Sequence, residues 1–429
     1  MEHHLRAALA AFDIGFGPLV PDEDIIRTGR VPVDHYLSVD RFEKEAEIFR
    51  HVWLNVGLDS EVPHEGDWIV RDIEVAKASL LIVRGQDNVI RAFHNVCSHR
   101  ALKLVWSERG CGKQFVCPYH AWSYGTDGSL RGIPDRQSFP DVDPATSGLT
   151  PVSVEIWKGL IFVNLDRNPR QTLREFLGGA AEILEHTPLD KFRYSARLTG
   201  VVKSNWKAGL DAASEGYHVG ALHRDSAREM VCSKNNPYVH FKSIDFFGPH
   251  RRTSNTGNPD FRLSDKKPVH KLIFESVPQV TVAGADRSLS FGGPGINTTQ
   301  DEEWSNDQFS IFPNFVLNLA LNGFWTMHYW PISVDSFRWE AHYHFAKAPK
   351  SWSERFALEG SVALNRDISS EDTACTQQQQ LAMASGARSF LQFGAYELLC
   401  RHEAAVWEAI IKRRNATPLA MTAKLRSSR

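Results

Sequence analysis

Two short cysteine–histidine pairs constrain the fold of this chain more than any other feature. Cys97 and His99 are two residues apart, and Cys117 and His120 are three apart, with a spacer of loop length between the pairs. Each pair is short enough to lie on one loop. The fold must therefore bring two loops together, and the two loops then offer two thiolates and two imidazoles to one metal centre.

Two kinds of metal centre use these ligands. In a Rieske [2Fe–2S] cluster, two histidines replace two cysteines on one iron, which raises the reduction potential. Zinc also accepts two cysteines and two histidines, but its commoner spacings pair Cys with Cys and His with His. The mixed pairs follow a predicted β-hairpin, and this context favours the cluster. We expect Cys97, His99, Cys117 and His120 to bind it.

The residues around the pairs have the pattern of a small all-β unit. From about Trp53 to Leu165, short apolar runs alternate with turn signals, such as the apolar run 80–83 followed by the turn cluster 85–88. Asp127-Gly128 predicts a second tight turn, because this pair readily supplies positive φ.

After Asp166 the pattern predicts an α+β domain. Helices are expected over 173–185, 211–222, 351–385 and 396–413, and strands over 309–321, 324–331 and 337–345. In the last strand, aromatic and small residues alternate with charged residues and histidines, which is typical of a sheet with one wet face. The domains predicted are an arm over 1–45 that packs on the α+β domain, a β domain over 46–165 and the α+β domain itself over 166–429.

A second possible metal site involves His218 and His223. They are five residues apart, which is not the spacing of two ligands on one regular helix face, so a helix ending between them would be needed to bring both to one metal. Two histidines and a distant carboxylate form the facial triad of non-haem Fe(II) oxygenases. Two histidines alone are weak evidence, since the chain has 18.

The surrounding residues resemble those of a known family. The stretch from Val96 to Gly125, with Arg100 after the first histidine and Trp122 after the second pair, is similar to the Rieske domain of ring-hydroxylating oxygenases. That family often has Gly where Ala121 stands. The segments Asn205-Trp206-Lys207 and Glu215-Gly216-Tyr217-His218 resemble the mononuclear-iron signature of the same family.

The resemblance implies a fold and a set of site residues. The fold would be a Rieske β domain joined to a helix-grip catalytic domain, an antiparallel sheet with helices against it. The acidic pair before Gln380 resembles the position of the third iron ligand, which we assign to Asp372, with Glu371 and Asp367 as alternatives. Glu215 would connect His218 of its own chain to the cluster ligand His120 of a neighbouring chain, since within one chain the two metals are expected to be too far apart.

The implied activity is oxidation of a small organic molecule with O₂. Electrons would come from NAD(P)H through a separate reductase, with or without a ferredoxin, and the assembly would be a homotrimer or α₃β₃. The outcome could be dihydroxylation, or monooxygenation including O- or N-demethylation or attack on a non-aromatic substrate. The 25 Phe and 12 Trp suit an apolar pocket and favour an aromatic or polycyclic substrate, as in aromatic hydrocarbon catabolism.

One departure from the family pattern bears on pocket size. After Asp211 the family usually has Asn and then a bulky aromatic residue, whereas this chain has Ala212 and Ala213. If these positions border the pocket, the small side chains enlarge it. Unchanged turnover of large substrates by an Ala213→Phe variant would count against this hypothesis.

Charge and composition disfavour other classes of function. The formal net charge is -2 and the sequence pI is about 6.8, so no overall basic field for nucleic acid or an anionic membrane is expected. The N-terminal residues do not resemble a secretory signal, and six cysteines are too sparse for a disulfide framework. We expect a cytoplasmic protein that binds neither nucleic acid nor membrane.

Two interpretations from other classes stay open at this point. A non-catalytic Rieske electron carrier with a ligand-binding domain would need only the cluster, so unchanged iron content in a His218→Ala protein would support it. A zinc-stabilised binding protein would be colourless and would hold zinc in place of iron and sulfide.

Overall fold

The computed structural model describes residues 22–262, 265, 267–276, 295–320 and 323–416. Within these residues the chain forms two compact units, one over 46–176 and one that joins the described residues up to 45 with those from 177 onward. Of the predicted N-terminal arm over 1–45, the first 21 residues lie outside the described part of the chain.

The elements are numbered here in chain order. The strands are β1 Arg30–Pro32, β2 Leu54–Leu58, β3 Asp67–Ile73, β4 Ala78–Arg84, β5 Ile90–His94, β6 Arg109–Cys111, β7 Gln114–Val116, β8 Ser123–Gly125, β9 Leu130–Gly132, β10 Pro151–Trp157, β11 Leu160–Asn164, β12 Tyr194–Val202, β13 Ser243–Phe247, β14 His250–Thr256, β15 Trp304–Ile311, β16 Phe315–Ala320, β17 Gly323–Ser333, β18 Ser336–Phe345 and β19 Phe390–Gln392.

The helices are α1 Glu23–Thr28, α2 Asp34–Leu37, α3 Val39–Ile48, α4 Leu173–Leu177, α5 Gly179–Ile183, α6 Trp206–Ala212, α7 Val219–Leu222, α8 Arg228–Val231, α9 Pro268–Ser276, α10 Trp352–Ala384 and α11 Leu398–Ala416. Four 3₁₀ turns cover Asp59–Glu61, Glu74–Ala76, Arg136–Ser138 and Leu189–Lys191. None of the described helices combines the length and the apolar character needed to span a membrane.

The unit over 46–176 is built from antiparallel strands, as the sequence pattern predicted. Seven strands form a sheet in the order β2-β11-β10-β5-β4-β3-β6, and β7-β8-β9 form a smaller one. The predicted turn after β4 is a hairpin that leads into β5, and the predicted turn at Gly128 joins β8 to β9 with φ +84°. Both turn predictions are confirmed. Cys97 and Cys117 pack in one buried apolar cluster of this unit.

The second unit contains a seven-stranded antiparallel sheet in the order β12-β18-β17-β16-β15-β14-β13. The 33-residue helix α10 begins at a capping box, in which Ser351 accepts from the backbone N–H of Glu354, whose side chain reaches back to the backbone of Ser351. The predicted helices over 351–385 and 396–413 are confirmed within one to three residues at each end. The α+β fold expected from the sequence is therefore present.

Three predicted elements are wrong in detail. The strand expected over 309–321 is a hairpin, β15 and β16, whose turn contains Pro313, and the last of these residues lies outside the described part. The helix expected over 173–185 breaks at Gly178, where φ is +51°. The helix expected over 211–222 is two helices, because α6 ends at Ala212 and α7 begins at Val219.

Asn205 ties together the two elements that lead to the candidate iron site. Its side chain caps α6 by accepting from the N–H of Lys207 (3.0 Å), and its amide nitrogen donates to the carbonyls of Tyr36 (3.0 Å) and Val334 (2.8 Å). Its backbone N–H donates to the side-chain oxygen of Gln380 on α10 (3.0 Å). The start of α6 is thereby fixed against α10.

We expect Asn205→Ala to lower the free energy of unfolding by about 3 kcal/mol, because it removes a helix cap and leaves one buried and one partly buried carbonyl without this donor. Urea unfolding of the purified protein followed by tryptophan fluorescence measures this change. The matched control is Asn168→Ala, since Asn168 is exposed, and we expect it to stay within about 0.5 kcal/mol of the unmodified protein. Equal stability of the two variants would contradict the expectation.

Candidate metal centres

The two cysteine–histidine loops have the same backbone geometry. The N–H of each cysteine donates to the carbonyl five residues later, at 2.9 Å for Cys97 and 2.8 Å for Cys117. Four residues after each cysteine, Ala101 and Ala121 donate back to the cysteine carbonyl and both have φ +57°. Positive φ explains why Gly suits the position of Ala121. Each loop thus turns tightly and presents its cysteine and histidine on the same side.

The loops bring the four predicted cluster residues together. Both cysteines are buried, and the rings of His99 and His120 lie 4.6 Å apart between centroids. Trp122 stacks on His99 with centroids 4.9 Å apart. The Nδ1 atom of His99 is buried and has no hydrogen-bond partner among the described residues. A buried imidazole nitrogen without a donor partner suits a metal ligand, so these residues fit a Rieske cluster.

Tyr124 is a further residue of this centre that the sequence did not indicate. It is fully buried, its hydroxyl lies 3.2 Å from the Sγ of Cys97, and it accepts from the N–H of Ser98 at 3.0 Å. A hydrogen bond donated to a cluster thiolate stabilises the more negative, reduced state, which raises the reduction potential.

We therefore expect Tyr124→Phe to lower the reduction potential of the cluster. A hydrogen bond to a charged group contributes about 1.5 kcal/mol, which for one electron corresponds to roughly 60 mV. A redox titration followed by electron paramagnetic resonance measures the shift. Tyr119→Phe is the control, because Tyr119 is half exposed and its hydroxyl accepts from Arg100. An unchanged potential in Tyr124→Phe would contradict the role assigned to its hydroxyl.

The second candidate centre joins three residues from separate elements. His218 caps the start of the four-residue helix α7, His223 follows its end, and Asp372 lies on α10. The Nε2 atoms of the two histidines are 3.1 Å apart, and the Oδ1 of Asp372 lies 3.4 Å from His218 and 3.1 Å from His223. The sequence had expected a helix to end between the histidines, whereas α7 occupies the interval and each histidine stands just outside it.

These distances fit one divalent metal. Two ligand atoms about 2.1 Å from a metal and at right angles are about 3 Å apart, so the three atoms match one face of an octahedron. The Oδ1 of Asp372 is buried and has no hydrogen-bond partner among the described residues. Of the alternative carboxylates, Glu371 contacts the other side of the His223 ring, and Asp367 is exposed and pairs with Arg366.

The electrostatic field at this face also favours a positive charge. Burial opposes protonation of His218, but the carboxylates of Asp372 and Glu215 more than offset it and raise the pKa of His218 to about 10. Burial likewise opposes protonation of His223, and Asp372 raises the pKa of that imidazole. A metal ion that displaces a proton from this face meets the same favourable field.

Each histidine is oriented by a carboxylate on its other nitrogen. The Nδ1 of His218 bonds to Glu215, and the Nδ1 of His223 lies 2.6 Å from Glu371, which also accepts from Ser226 at 2.6 Å. Such carboxylate–histidine pairs are common behind metal ligands and fix the tautomer in which Nε2 is free to bind. The sequence had indicated Glu215 but not the supporting role of Glu371, although its place beside Asp372 could have suggested it.

A cavity of about 310 Å³ opens beside His218, His223 and Asp372. Aromatic side chains form one part of its wall, and aliphatic side chains together with asparagine, glutamine, serine and threonine form much of the rest. Ala213 borders the cavity, as the pocket-size hypothesis required, whereas Ala212 is not among its described lining residues. The site can therefore bind a small organic molecule next to a metal.

Family models match both units. A model described as the ring hydroxylating alpha subunit, catalytic domain, matches residues 189–413, just over half of the chain, and a Rieske [2Fe-2S] domain model matches residues 52–147. The chain belongs to the Rieske ring-hydroxylating oxygenases. The two cofactors of that family, a Rieske [2Fe–2S] cluster and a mononuclear iron, are therefore those of this chain.

Curated relatives of this oxygenase differ in their substrates. The chain is 34% identical to the carnitine monooxygenase oxygenase subunit of Escherichia coli (strain K12) over 195 aligned residues. These residues are 45% of this chain and 52% of the relative. It is 37% identical over 197 residues to the 2-aminobenzenesulfonate 2,3-dioxygenase subunit alpha of Alcaligenes sp, covering 44% of this chain and 48% of the relative. The chain thus matches about half the length of these relatives.

Solved structures share the fold. A quaternary ammonium Rieske monooxygenase in complex with γ-butyrobetaine aligns with a TM-score of 0.69 at 21% identity, covering 90% of this chain and 98% of that one. Naphthalene 1,2-dioxygenase from Rhodococcus sp., bound to indole, aligns with a TM-score of 0.71 at 19% identity, covering 95% and 98%. At these identities the similarity concerns the fold of this Rieske oxygenase and not its substrate.

Proposed function

We propose that this chain is the oxygenase component of a multicomponent system, which oxidises a small organic molecule with O₂ and electrons that come from NAD(P)H through a separate reductase. One observation carries the proposal. The Nε2 atoms of His218 and His223 and the Oδ1 of Asp372 form a three-atom face, with edges of 3.1 to 3.4 Å, at the wall of a cavity of about 310 Å³.

The residue roles follow from the two sets of contacts. Cys97, His99, Cys117 and His120 bind the cluster. His218, His223 and Asp372 bind the mononuclear iron. When bound, the cluster supplies single electrons and the iron supplies O₂ activation. His218, His223 and Asp372 would hold the iron at the wall of the cavity, and Glu215 and Glu371 orient the two imidazoles.

Glu215 is proposed to connect the iron to an electron donor on another chain. Its side chain is 11% exposed, and it contacts His218 through one oxygen while the other accepts from the backbone N–H of Tyr217 and His218. A fixed, nearly buried carboxylate suits a bridge from this imidazole to His120 of a neighbouring chain. The assembly proposed is a homotrimer or α₃β₃ that accepts electrons from the reductase, directly or through a ferredoxin.

The proposed substrate has an aromatic or bulky apolar part. Trp325, Tyr329, Trp339 and Tyr343 line the cavity, and Ala213 leaves room where the family usually has a bulky side chain. A second candidate reaction is monooxygenation or demethylation of an alkylammonium compound. It is favoured by the same aromatic rings beside carboxylates, since aromatic faces bind such cations, and by relatives that act on carnitine and on glycine betaine.

The test supplies the purified protein with a surrogate reductase, NADH and ¹⁸O₂, and measures label in the products of matched aromatic and alkylammonium compounds. Two labelled oxygens in one product establish dioxygenation. One labelled oxygen, or release of formaldehyde, establishes monooxygenation or demethylation. A protein that holds both iron centres, accepts electrons and yields no oxygenated product from either group of compounds would contradict the proposal.

A further inference from the structure

The cavity wall formed by the sheet changes in character from one side to the other. Gln308, Asn318, Trp325 and Tyr343 are successive cross-strand partners on β15, β16, β17 and β18, so their side chains lie in one row on the same face. All four line the cavity. The strands β17 and β18 contribute aromatic rings to it, whereas β14, β15 and β16 contribute primary amides. The sheet therefore presents an aromatic half and an amide half.

The amide half contains a donor without a partner. Ser305 donates to the Oδ1 of Asn306 (3.0 Å), and the Nδ2 of Asn306 lies 3.5 Å from the Oδ1 of Asn318. Because the Oδ1 of Asn318 faces Asn306, the Nδ2 of Asn318 is directed away from Asn306. Asn318 is 1% exposed, and its Nδ2 has no hydrogen-bond partner among the described residues. A buried amide donor in a cavity wall is a site for an acceptor atom of a ligand.

An acceptor without a partner lies in the same half. Asn255 on β14 is the cross-strand partner of Asn306, and its Oδ1 is buried without a hydrogen-bond partner among the described residues. Asn255 and Asn318 therefore flank Asn306 on the same face. The amide half therefore offers a donor at Asn318 and a separate acceptor at Asn255, on either side of Asn306.

The charges around the cavity further restrict the kind of ligand group that can bind at the amide half. No lysine or arginine is among the described residues that line the cavity, whereas the acids Glu215 and Asp372 are both lining residues. A carboxylate or sulfonate placed at the amide half would lose its hydration without gaining a cationic partner, and burial of an unpaired anion is costly. The amide half is suited to an uncharged group.

We propose that the cavity recognises its substrate through an uncharged acceptor group, such as the carbonyl of a carboxamide, which accepts a hydrogen bond from the Nδ2 of Asn318. The apolar body of the substrate packs against the aromatic half. This inference rests on the proposed function for the identity of the site and adds the class of substrate. It separates this chain from relatives named for carnitine and for 2-aminobenzenesulfonate, which carry a carboxylate and a sulfonate.

The test measures binding and not turnover. Isothermal titration calorimetry of the iron-loaded protein without O₂ compares 2-naphthamide, 2-naphthoate and naphthalene, which share one ring system. We expect 2-naphthamide to bind at least about tenfold more tightly than either of the others, the gain of one or two hydrogen bonds in a buried site. Equal or tighter binding of 2-naphthoate, equal binding of all three, or no binding of 2-naphthamide would overturn the proposal.

Two variants test Asn318, and one variant serves as the control. Asn318→Leu keeps a similar side-chain volume. It should weaken the affinity for 2-naphthamide about tenfold, while the affinity for naphthalene stays within about twofold of that of the unmodified protein. Asn318→Asp replaces the donor by an acceptor of the same shape, so the preference for 2-naphthamidine over 2-naphthamide should rise at least about tenfold relative to the unmodified protein. Trp325→Leu, at the cross-strand neighbour of Asn318, should weaken all ligands alike.

The outcomes separate the two proposals. A protein that prefers 2-naphthamide, loses this preference in Asn318→Leu, shifts it towards 2-naphthamidine in Asn318→Asp and forms no oxygenated product would overturn the proposed function and leave the recognition site in place. A protein that oxygenates substrates but binds the three compounds equally would overturn the recognition site alone. Iron content and circular dichroism of each variant establish that the fold is kept. An Asn318→Asp protein with full iron content and an unchanged preference between 2-naphthamidine and 2-naphthamide would also overturn the proposed recognition site.

Discussion

Asp372→Asn is expected to remove the mononuclear iron and leave the Rieske cluster in place, so that the iron content falls from about three to about two per chain. Asn has the shape of Asp but lacks its charge. Among the described residues, the Oδ1 of Asp372 is the one carboxylate atom within 3.1 to 3.4 Å of both imidazole Nε2 atoms. Turnover should fall by at least about 100-fold, since even groups behind a metal ligand contribute 10- to 100-fold.

The other acids of α10 provide matched controls for this variant. Asp367→Asn should keep the full iron content, because Asp367 pairs with Arg366 and its side chain is 56% exposed. Glu371→Gln should give an intermediate result, a 10- to 100-fold weaker affinity for iron, because Glu371 contacts the Nδ1 of His223. Iron and sulfide analysis with the visible spectrum of the cluster measures all three. Loss of the third iron from Asp367→Asn, or its full retention in Asp372→Asn, would move the ligand to another carboxylate.

Glu215→Gln is expected to slow electron delivery from the cluster to the iron much more than Glu371→Gln does. The two glutamates occupy equivalent positions, because each forms a hydrogen bond with the Nδ1 of one of the two histidines. A glutamine at 215 cannot satisfy its neighbours, because its amide would have to accept from His218 on one side and from two backbone N–H groups on the other, while one of its ends is a donor. We expect turnover to fall about 10- to 100-fold in Glu371→Gln and by more than that in Glu215→Gln.

A single-turnover measurement distinguishes orientation of a ligand from electron transfer. The cluster is reduced, the protein is mixed with O₂ and substrate, and the return of the oxidised cluster spectrum is followed together with product formation. If Glu215 only orients His218, both variants should reoxidise the cluster at similar rates once iron is loaded to saturation. If Glu215 also bridges to a neighbouring chain, only Glu215→Gln should show slow reoxidation. Equal rates in both variants at full iron loading would contradict the bridging role.

The cluster loops show which features local sequence can predict. Cys97 and His99 are two residues apart, so a single tight turn fixes their relation whatever the rest of the chain does. The ligand types and the turn at Gly128 are likewise local, and each was predicted. The strand β18 was predicted too, but its expected wet face is wrong, because Glu340, His342 and His344 on that face are buried. Where a local signal was overlooked, the element was wrong, as at Pro313, which cannot donate within a continuous central strand.

The iron site shows what local sequence cannot predict. Glu371 and Asp372 are adjacent on α10, and neighbours on a helix point about 100° apart, so the rotation of α10 about its axis decides which of them faces His218 and His223. That rotation is set by packing and by the bond between Gln380 and the backbone of Asn205, 175 residues away in sequence. The sequence therefore left Asp372, Glu371 and Asp367 as alternatives.

The sequence by itself determined the family, the two cofactors and the chemistry of the ligands, because short spacings and ligand types are properties of single loops and helices. Only the tertiary structure decided which carboxylate faces the histidines and which side chains line the cavity. Asn255, Asn318 and Trp325 carry no signal in sequence, since they come from strands up to 70 residues apart and meet only through the register of the sheet. Register and helix rotation depend on long-range packing, which no local pattern contains.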